Sequence, residues 1–389
     1  MDGQKLFLRL IKAQLNNNVI DEEVKEKITT SILPMLFNIS KKHDLVHLIA
    51  NVLIENNLLP SDLEITKSFI KEQNLAVYRQ TLLEYEETSI GEVFEKHQIK
   101  FIPLKGAVIS LLYPMPWMRT RSDIDVYIDE TNLEKAVSLF RDELGYEVVS
   151  KGDHDVSFTS KSGVHVELHY KLVDLDAKAQ EKQVFNSVWE NATLLNESKK
   201  CHYKMSNEYL YCYHVSHIAK HLRFGGCGVR FIIDTFLLNT KLEFDNGKKK
   251  DLLEKAGLLT LSNEIETLSK YWFLGNGAND VTLRLEQYVL LGGIYGSYDN
   301  KIAALQSRKK NKFAYLLSRV FLPYNQMAVK YENLKKCPIL YPFYVVKRLF
   351  KLLSKNEREK ALKEVETTSS KNANNQKNVA KLLNDLDLK

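Results

Sequence analysis

The chain has 389 residues, 44% of them hydrophobic and 27% charged, and a formal net charge of +6. This composition excludes a collagen-like or wholly disordered protein, and four cysteines are too few for a disulfide scaffold. No apolar run approaches the ~20 residues that a membrane-spanning helix needs, and the first residues lack the uninterrupted apolar core of a signal peptide, so we expect a cytoplasmic protein without a membrane span.

The first part of the chain, residues 1–98, predicts a helical region. Apolar residues recur there at helical spacing, for example at Phe7, Leu10 and Ile11. This region contains no obvious chemical motif.

Residues 99–175 predict a compact α/β core. The stretch from Asp123 to Ile128 alternates polar and apolar residues with a period of two, which is typical of a half-buried strand. A helix with a capping box at Thr131 and Glu134 follows. Further strands are expected at Tyr146–Val149, Val156–Thr159 and Val164–His169.

The pattern is helical again over residues 176–365, and residues 366–389 predict a polar, flexible tail. The predicted fold class is therefore α+β, with a small mixed sheet embedded between helical regions and helix predominating overall. Positive charge is concentrated late in the chain, since residues 301–389 contain 20 Lys and Arg against 7 Asp and Glu. Such a segment can bind nucleic acid or anionic lipid, although a solvated helical surface is the simpler explanation.

The main chemical feature is a set of three carboxylates. Asp123 and Asp125 lie two residues apart on one predicted strand, and therefore on the same face. Glu167 shares a face of a later strand with His165 and His169. If the two strands are neighbours, the three carboxylates converge, and a hard divalent cation such as Mg²⁺ or Mn²⁺ would stabilise them. The alternative is that they are solvent-facing acids on amphipathic strands.

Two flanking motifs favour phosphate chemistry. Lys105 and Gly106 stand where a strand runs into a helix N-terminus, whose free amides suit a phosphate. Arg119, Arg121 and Ser122 directly precede the acidic pair, so a cation can lie beside a metal and hold polyphosphate oxygens. Anion contacts, a metal site and a third carboxylate are together what nucleotidyl transfer requires.

With these residues, the stretch from Leu104 to His169 resembles the polymerase-β-like nucleotidyltransferases. Their pattern is a glycine-containing turn, an Asp-x-Asp strand and one more carboxylate on a later strand. The chain departs from it at 105–107, where Lys-Gly-Ala stands in place of Gly-Ser or Gly-Gly. In this it is similar to a narrower bacterial group of largely uncharacterised nucleotidyltransferases with the layout LKG … RSDIDV … VELH. The similarity extends to His214–Leu238 and to the later pattern FLPYNQM … Y … LYPFYVVKR, so it covers most of residues 100–350.

The resemblance implies a metal-dependent enzyme that transfers a nucleoside monophosphate from a nucleoside triphosphate, with ATP as the expected donor, and releases pyrophosphate. The acceptor stays open among a small molecule, a protein side chain and RNA. Asp123, Asp125 and Glu167 would bind the metal, with Glu167 or Asp125 assisting deprotonation of the acceptor. Contacts to the nucleotide would come from Lys105, Gly106, Arg119, Arg121 and Ser122.

A helical stretch after the core carries a row of histidines. His214, His217 and His221 share one face at i, i+3 and i+7 spacing, with Lys220 adjacent. Zinc is conceivable there, but no Cys-x-x-Cys pair supports it, and histidines packed in the core are the simpler explanation.

We expect this helix face, with Lys220, Arg230 and Asp234, to close over the nucleotide or the acceptor. Arg230 and Asp234 are four residues apart, so a structural ion pair explains them equally well. His154 and His169 are further candidates for nucleotide contacts, although a loop histidine such as His154 often has no role.

Two other functions stay open. The chain could be a nucleotide-binding regulator or scaffold that lost turnover, although retention of all three carboxylates favours an active enzyme. It could also be a metal-dependent phosphoesterase. Arg121 and the Lys-Gly turn, which suit a triphosphate, favour nucleotidyl transfer instead.

Overall fold

The structure, a computed structural model, describes residues 3–16, 19–293, 296, 298–307, 321–324, 327–328, 331, 333–334, 337–352 and 373–389. Helix predominates in these residues and one small mixed sheet forms, which confirms the α+β class. None of the described helices is both long and apolar enough to cross a membrane. Two compact units are present, residues 1–217 with 228–283 and residues 218–227 with 284–389. The four-part domain division of the sequence stays a prediction.

The N-terminal part of the first unit is helical because apolar residues recur on one face of each helix. Phe7, Leu10 and Ile11 are fully buried on the first of these helices. Phe94, near the end of the longest one, packs against Phe140 of the sheet-containing core. The helices are α1 (Gly3–Leu15), α2 (Glu22–Lys27), α3 (Leu33–Lys42), α4 (Val46–Glu55) and α5 (Glu64–Lys96).

Five strands then form the mixed sheet: β1 (Phe101–Pro103), β2 (Asp123–Ile128), β3 (Glu147–Lys151), β4 (Asp155–Thr159) and β5 (His165–His169). Their order across the sheet is β1-β2-β5-β4-β3. β2 and β5 are parallel, whereas the other neighbours are antiparallel. The apolar residues of the period-two pattern face a core that α5 and α7 (Leu133–Asp142) complete. They include Ile124, Val126, Phe158, Val166 and Leu168.

The rest of the first unit is mainly helical. Its further helices include α6 (Lys105–Ser110), α8 (Ala179–Phe185), α9 (Asn207–Arg223), α10 (Val229–Lys241), α11 (Asn246–Lys255) and α12 (Leu259–Leu274).

One difference from the prediction is a hairpin within the interval that reads as helical. It is formed by β6 (Ala192–Leu194) and β7 (Tyr203–Met205). Strands of three residues are too short to show a period, so the sequence pattern does not reveal them. The Phe101 N–H donates to the carbonyl of Cys201 at 2.9 Å, which joins this hairpin to the edge of the main sheet.

The later part of the chain contains α13 (Asp280–Gly292), α14 (Tyr298–Ser307), α15 (Tyr341–Leu352) and α16 (Ala373–Asp385). The last of these lies in the interval predicted as a flexible tail. Val379, Leu382 and Leu383 are buried on it at helical spacing. The polar segment that precedes α16 hides this short apolar pattern in the sequence.

Candidate active site

The parallel pairing of β2 and β5 brings the polar faces of the two strands together. Asp123 pairs in register with His165, and Asp125 pairs with Glu167. Because side chains alternate along a strand, these polar residues share one face while Ile124 is buried on the other. β2 and β5 are therefore neighbours, which is the condition under which the carboxylates can converge.

Three of these side chains converge within metal-binding distance. Potential ligand atoms of Asp125, Glu167 and His169 all lie within 4.8 Å of one another. His169 Nε2 is 3.3 Å from an oxygen of Asp125 and 3.3 Å from an oxygen of Glu167. Asp123 lies two residues before Asp125 on the same strand face, outside this group of three. In the described part of the chain, no other group of three such ligands converges in this way.

The electrostatics of this group show strongly coupled charges. Burial, and then the neighbouring charges of Asp125 and Glu167, raise the pKa of Asp123. Burial also opposes ionisation of Asp125, but the hydrogen bond and charge of His169 hold the pKa of that carboxyl well below its usual range. His169 is buried as well, yet its hydrogen bonds to Asp125 and Glu167 raise its pKa to about 9. The imidazolium therefore supplies positive charge among the carboxylates at neutral pH.

Lys105 adds a second positive charge at this site. It is the first residue of α6, and its Nζ donates to Nδ1 of His217 at 2.8 Å. The same ammonium lies 5.0 Å from the ring centre of Tyr213, one helical turn before His217. Its charge lowers the pKa values of Asp123 and Asp125, so it acts directly on the carboxylate group.

Arg121, a predicted phosphate contact, is engaged in a partly buried ion pair. Both terminal nitrogens of its guanidinium donate hydrogen bonds to the Glu87 carboxylate on α5. The bond from Nη2 to Oε2 is 2.9 Å long. Gly106 belongs to the same packing, because a Cβ at this position would lie 3.2 Å from Cδ of Arg121. The two terminal nitrogens of Arg121 are therefore occupied by Glu87, so a phosphate that binds them must compete with this carboxylate. The nucleotide-contact role of Arg121 and Gly106 therefore stays a prediction.

Arg119 is similarly engaged. It donates from Nε and Nη2 to Asp234 on α10 at 3.0 and 2.9 Å, and Tyr113 Oη donates to the same carboxylate at 2.8 Å. Asp234 is fully buried, and although burial opposes its ionisation, the Arg119 charge keeps its pKa low. Asp234 thus forms its ion pair with Arg119. It does not form the i, i+4 ion pair with Arg230 that the sequence spacing allows.

Arg230 turns toward the loop that precedes β2. Its Nη1 donates to the carbonyl of Thr120 at 2.6 Å and lies 3.8 Å from a carboxylate oxygen of Asp44. Its charge also lowers the pKa of Asp123. Arg230 and the exposed Ser122 therefore both lie beside the first carboxylate of the set.

The remaining candidates divide between the two units. The His154 ring is 5.7 Å from that of His169, at the β4 side of the carboxylate group. His214 is buried and hydrogen-bonded to Thr235 at 2.9 Å, which fits a core histidine. Lys220 and His221 belong to the second unit, and the predicted roles of Lys220 and His154 in nucleotide binding stay predictions.

Sequence reasoning missed several residues of this site. Glu87 and Asp44 lie in the N-terminal helical region, where no local pattern marks them, and Tyr213 reads as an ordinary apolar position of α9. The sequence signal that could have found Tyr213 is its i, i+4 spacing to His217 on the same helix face.

A comparison with known protein families agrees with this geometry. A family model described as an uncharacterised nucleotidyltransferase matches residues 34–273, which contain the whole sheet and its carboxylates. No curated protein matches the chain. Among solved structures, the chain is similar to the antibiotic-resistance factor ANT(2'')-Ia, with 13% identity, a TM-score of 0.33, and coverage of 49% of this chain and 96% of that one. Because the family match spans more than half of the chain, the chain belongs to the family of uncharacterised nucleotidyltransferases.

Proposed function

We propose that the chain transfers a nucleoside monophosphate from a nucleoside triphosphate, with ATP as the expected donor, to an acceptor and releases pyrophosphate. One observation supports this most directly: the parallel pairing of β2 and β5 sets Asp125 opposite Glu167. Asp123 and His169 share the same face. The arrangement joins hard oxygen donors to nearby cationic side chains, as transfer of a charged phosphoryl group requires.

The residues present fit a hard divalent cation, Mg²⁺ or Mn²⁺. Two carboxylates converge with an imidazole within 4.8 Å, and carboxylate oxygens are the ligands that such cations prefer. Nδ1 of His169 is buried and has no hydrogen-bond partner among the described residues. Asp123, Asp125 and Glu167 would hold the ion, with His169 beside them. Such an ion, when bound, would offset the negative charge that develops on the phosphoryl oxygens.

The protein groups would then divide the reaction between them. The acceptor oxygen or nitrogen attacks the α-phosphorus, and its new bond to phosphorus forms as the bond to the bridging oxygen of pyrophosphate breaks. Glu167 or Asp125 accepts the proton that the acceptor loses. Lys105, held by His217 and Tyr213, would bind the oxygens of the triphosphate. Arg230 can add a second contact beside Asp123, because its charge already acts on that carboxyl.

Nucleotide binding can be tested without knowing the acceptor. We expect calorimetric titration to show metal-dependent binding of ATP to the wild-type chain, and loss of that binding in the double variant Asp123→Asn, Asp125→Asn. Asp142→Asn, at an exposed position at the end of α7, is the matched control and should bind as the wild type does.

Each outcome of this titration decides something. Absence of metal-dependent binding of any nucleoside triphosphate by the folded wild-type chain would overturn the proposal. Equal binding by the wild type and the double variant would place the nucleotide elsewhere. Metal-dependent binding that the double variant loses supports the site and leaves the acceptor to be found by screening for pyrophosphate release.

A further inference from the structure

The second unit carries a dense group of exposed apolar side chains. They lie on α15 and on the single turn of 3₁₀ helix before it, Pro338–Leu340. No other described stretch of this length exposes as many large apolar residues. The residues are Ile339, Leu340, Phe343, Val346, Leu349 and Phe350.

The opposite face of α15 is packed. Tyr341, Tyr344 and Val345 contact a small buried cluster that includes Met327 and Leu334. Tyr341 Oη also donates to the carbonyl of Leu322 at 2.7 Å. These contacts fix the rotation of the helix about its axis, so the exposed residues form a stripe that faces away from the cluster.

The stripe has a basic border. At about 100° per residue, Phe343, Val346, Leu349 and Phe350 fall within an arc of about 120°, and Lys347 follows at its edge. The surrounding residues 333–356 contain six Lys and Arg and no Asp or Glu. An apolar face bordered by cations, with no opposing acid, complements a surface that is both apolar and negatively charged.

We propose that α15 binds in the plane of an anionic lipid surface. Phe343 and Phe350 would enter the boundary between headgroups and acyl chains, while Lys347 contacts lipid phosphates. A nucleic acid would pair with the positive charge but leave the apolar stripe in water, so the lipid surface fits the observations better. This proposal does not depend on the nucleotidyl transfer described above.

Sedimentation of the full chain with vesicles tests the proposal. We expect binding to vesicles of phosphatidylglycerol and phosphatidylcholine, weakening as salt is added, and little binding to phosphatidylcholine alone. The double variant Phe343→Ser, Phe350→Ser should reduce binding about tenfold or more, because two large apolar side chains no longer leave water. Both residues are exposed, at 63% and 70%, so the substitutions should leave the fold intact.

A matched control removes aromatic rings elsewhere. Tyr78 and Tyr85 are 61% and 67% exposed and also lie seven residues apart on one helix, α5. Tyr78→Ser, Tyr85→Ser should bind vesicles as the wild type does. The Asp123→Asn, Asp125→Asn variant should also bind normally, so failure of the proposed function would not affect this result.

Four outcomes would overturn the proposal. The first is absence of wild-type binding to anionic vesicles, and the second is unchanged binding by the Phe343 and Phe350 double variant. The third is self-association of the wild type without lipid that this variant abolishes, which would make the stripe an interface between copies of the chain. The fourth is binding to single-stranded RNA, but not to vesicles, that is lost in Lys347→Gln and kept in the phenylalanine variant.

Discussion

The side chain of Lys105 links α9 to the carboxylates of β2. Its ammonium contacts His217 and the face of Tyr213, while its charge lowers the pKa values of Asp123 and Asp125. We predict that Lys105→Ala weakens metal-dependent ATP binding about tenfold or more, because a charge-assisted contact to the triphosphate is lost. Calorimetric titration measures this as an increase in Kd.

Lys100 provides the matched control for Lys105. It directly precedes β1, whereas Lys105 follows that strand, and it makes the same type of contact, with its Nζ 5.4 Å from the ring centre of Tyr203. Lys100→Ala should leave the Kd for ATP unchanged. Equal weakening by both substitutions would contradict a specific role for Lys105.

Because the imidazole of His214 is buried, we predict that the unfolding free energy of the protein depends on pH. Burial lowers its pKa to about 4, while in the unfolded chain the pKa is about 6.5. The unfolded state therefore binds more protons than the folded state between pH 4 and 6.5. The contribution of His214 to the unfolding free energy is complete above pH 6.5 and is lost as the pH falls toward 4. Because the shift is more than two pKa units, the contribution at pH 4.5 should be lower than at pH 7 by roughly 2–3 kcal/mol.

Denaturant unfolding of the wild type and of His214→Gln at the two pH values measures this contribution. The fall in unfolding free energy on acidification should be smaller in the variant. Burial lowers the pKa of His47 as well, so a residual slope of the same sign is expected in both proteins. Identical slopes would show that His214 is not buried in its neutral form.

At the scale of elements, the Arg119–Asp234 ion pair joins the segment before β2 to α10. Both side chains are buried, and Tyr113 completes the hydrogen bonding of the carboxylate. We predict that Asp234→Asn lowers the unfolding free energy by about 3–5 kcal/mol, because the Arg119 cation then stays buried without a negative partner. Chemical denaturation measures the change.

An exposed pair on α11 is the control for this prediction. Lys255 lies 2.6 Å from Asp251 at i, i+4 spacing, and both side chains are more than half exposed. Lys255→Ala should therefore change the unfolding free energy by less than about 1 kcal/mol. A comparable effect of the two substitutions would mean that burial does not determine the contribution of the Arg119 pair.

At the scale of the whole molecule, the sequence predicts what depends on local pattern. The alternation in β2 and β5 places Asp125 and Glu167 on polar faces, whereas the convergence of the carboxylates is implied only by the resemblance to nucleotidyltransferases. Partners distant in sequence are not predictable in this way. Glu87 lies 34 residues before Arg121, and Asp234 lies 115 residues after Arg119. No local period or spacing relates such residues, so tertiary packing alone assigns two of the predicted phosphate contacts to ion pairs.

Tryptophan fluorescence can report ligand binding to the first of the two units. All three tryptophans, Trp117, Trp189 and Trp272, belong to the first unit, which also contains the carboxylates. A ligand that binds only the folded state stabilises it by about 2.7 kcal/mol at a free concentration of 100 times Kd. We therefore predict that ATP with Mg²⁺ shifts the unfolding transition seen by tryptophan fluorescence by about this amount, and that Asp123→Asn, Asp125→Asn abolishes the shift. An unshifted tryptophan transition in a chain that binds ATP by calorimetry would place the nucleotide outside the first unit.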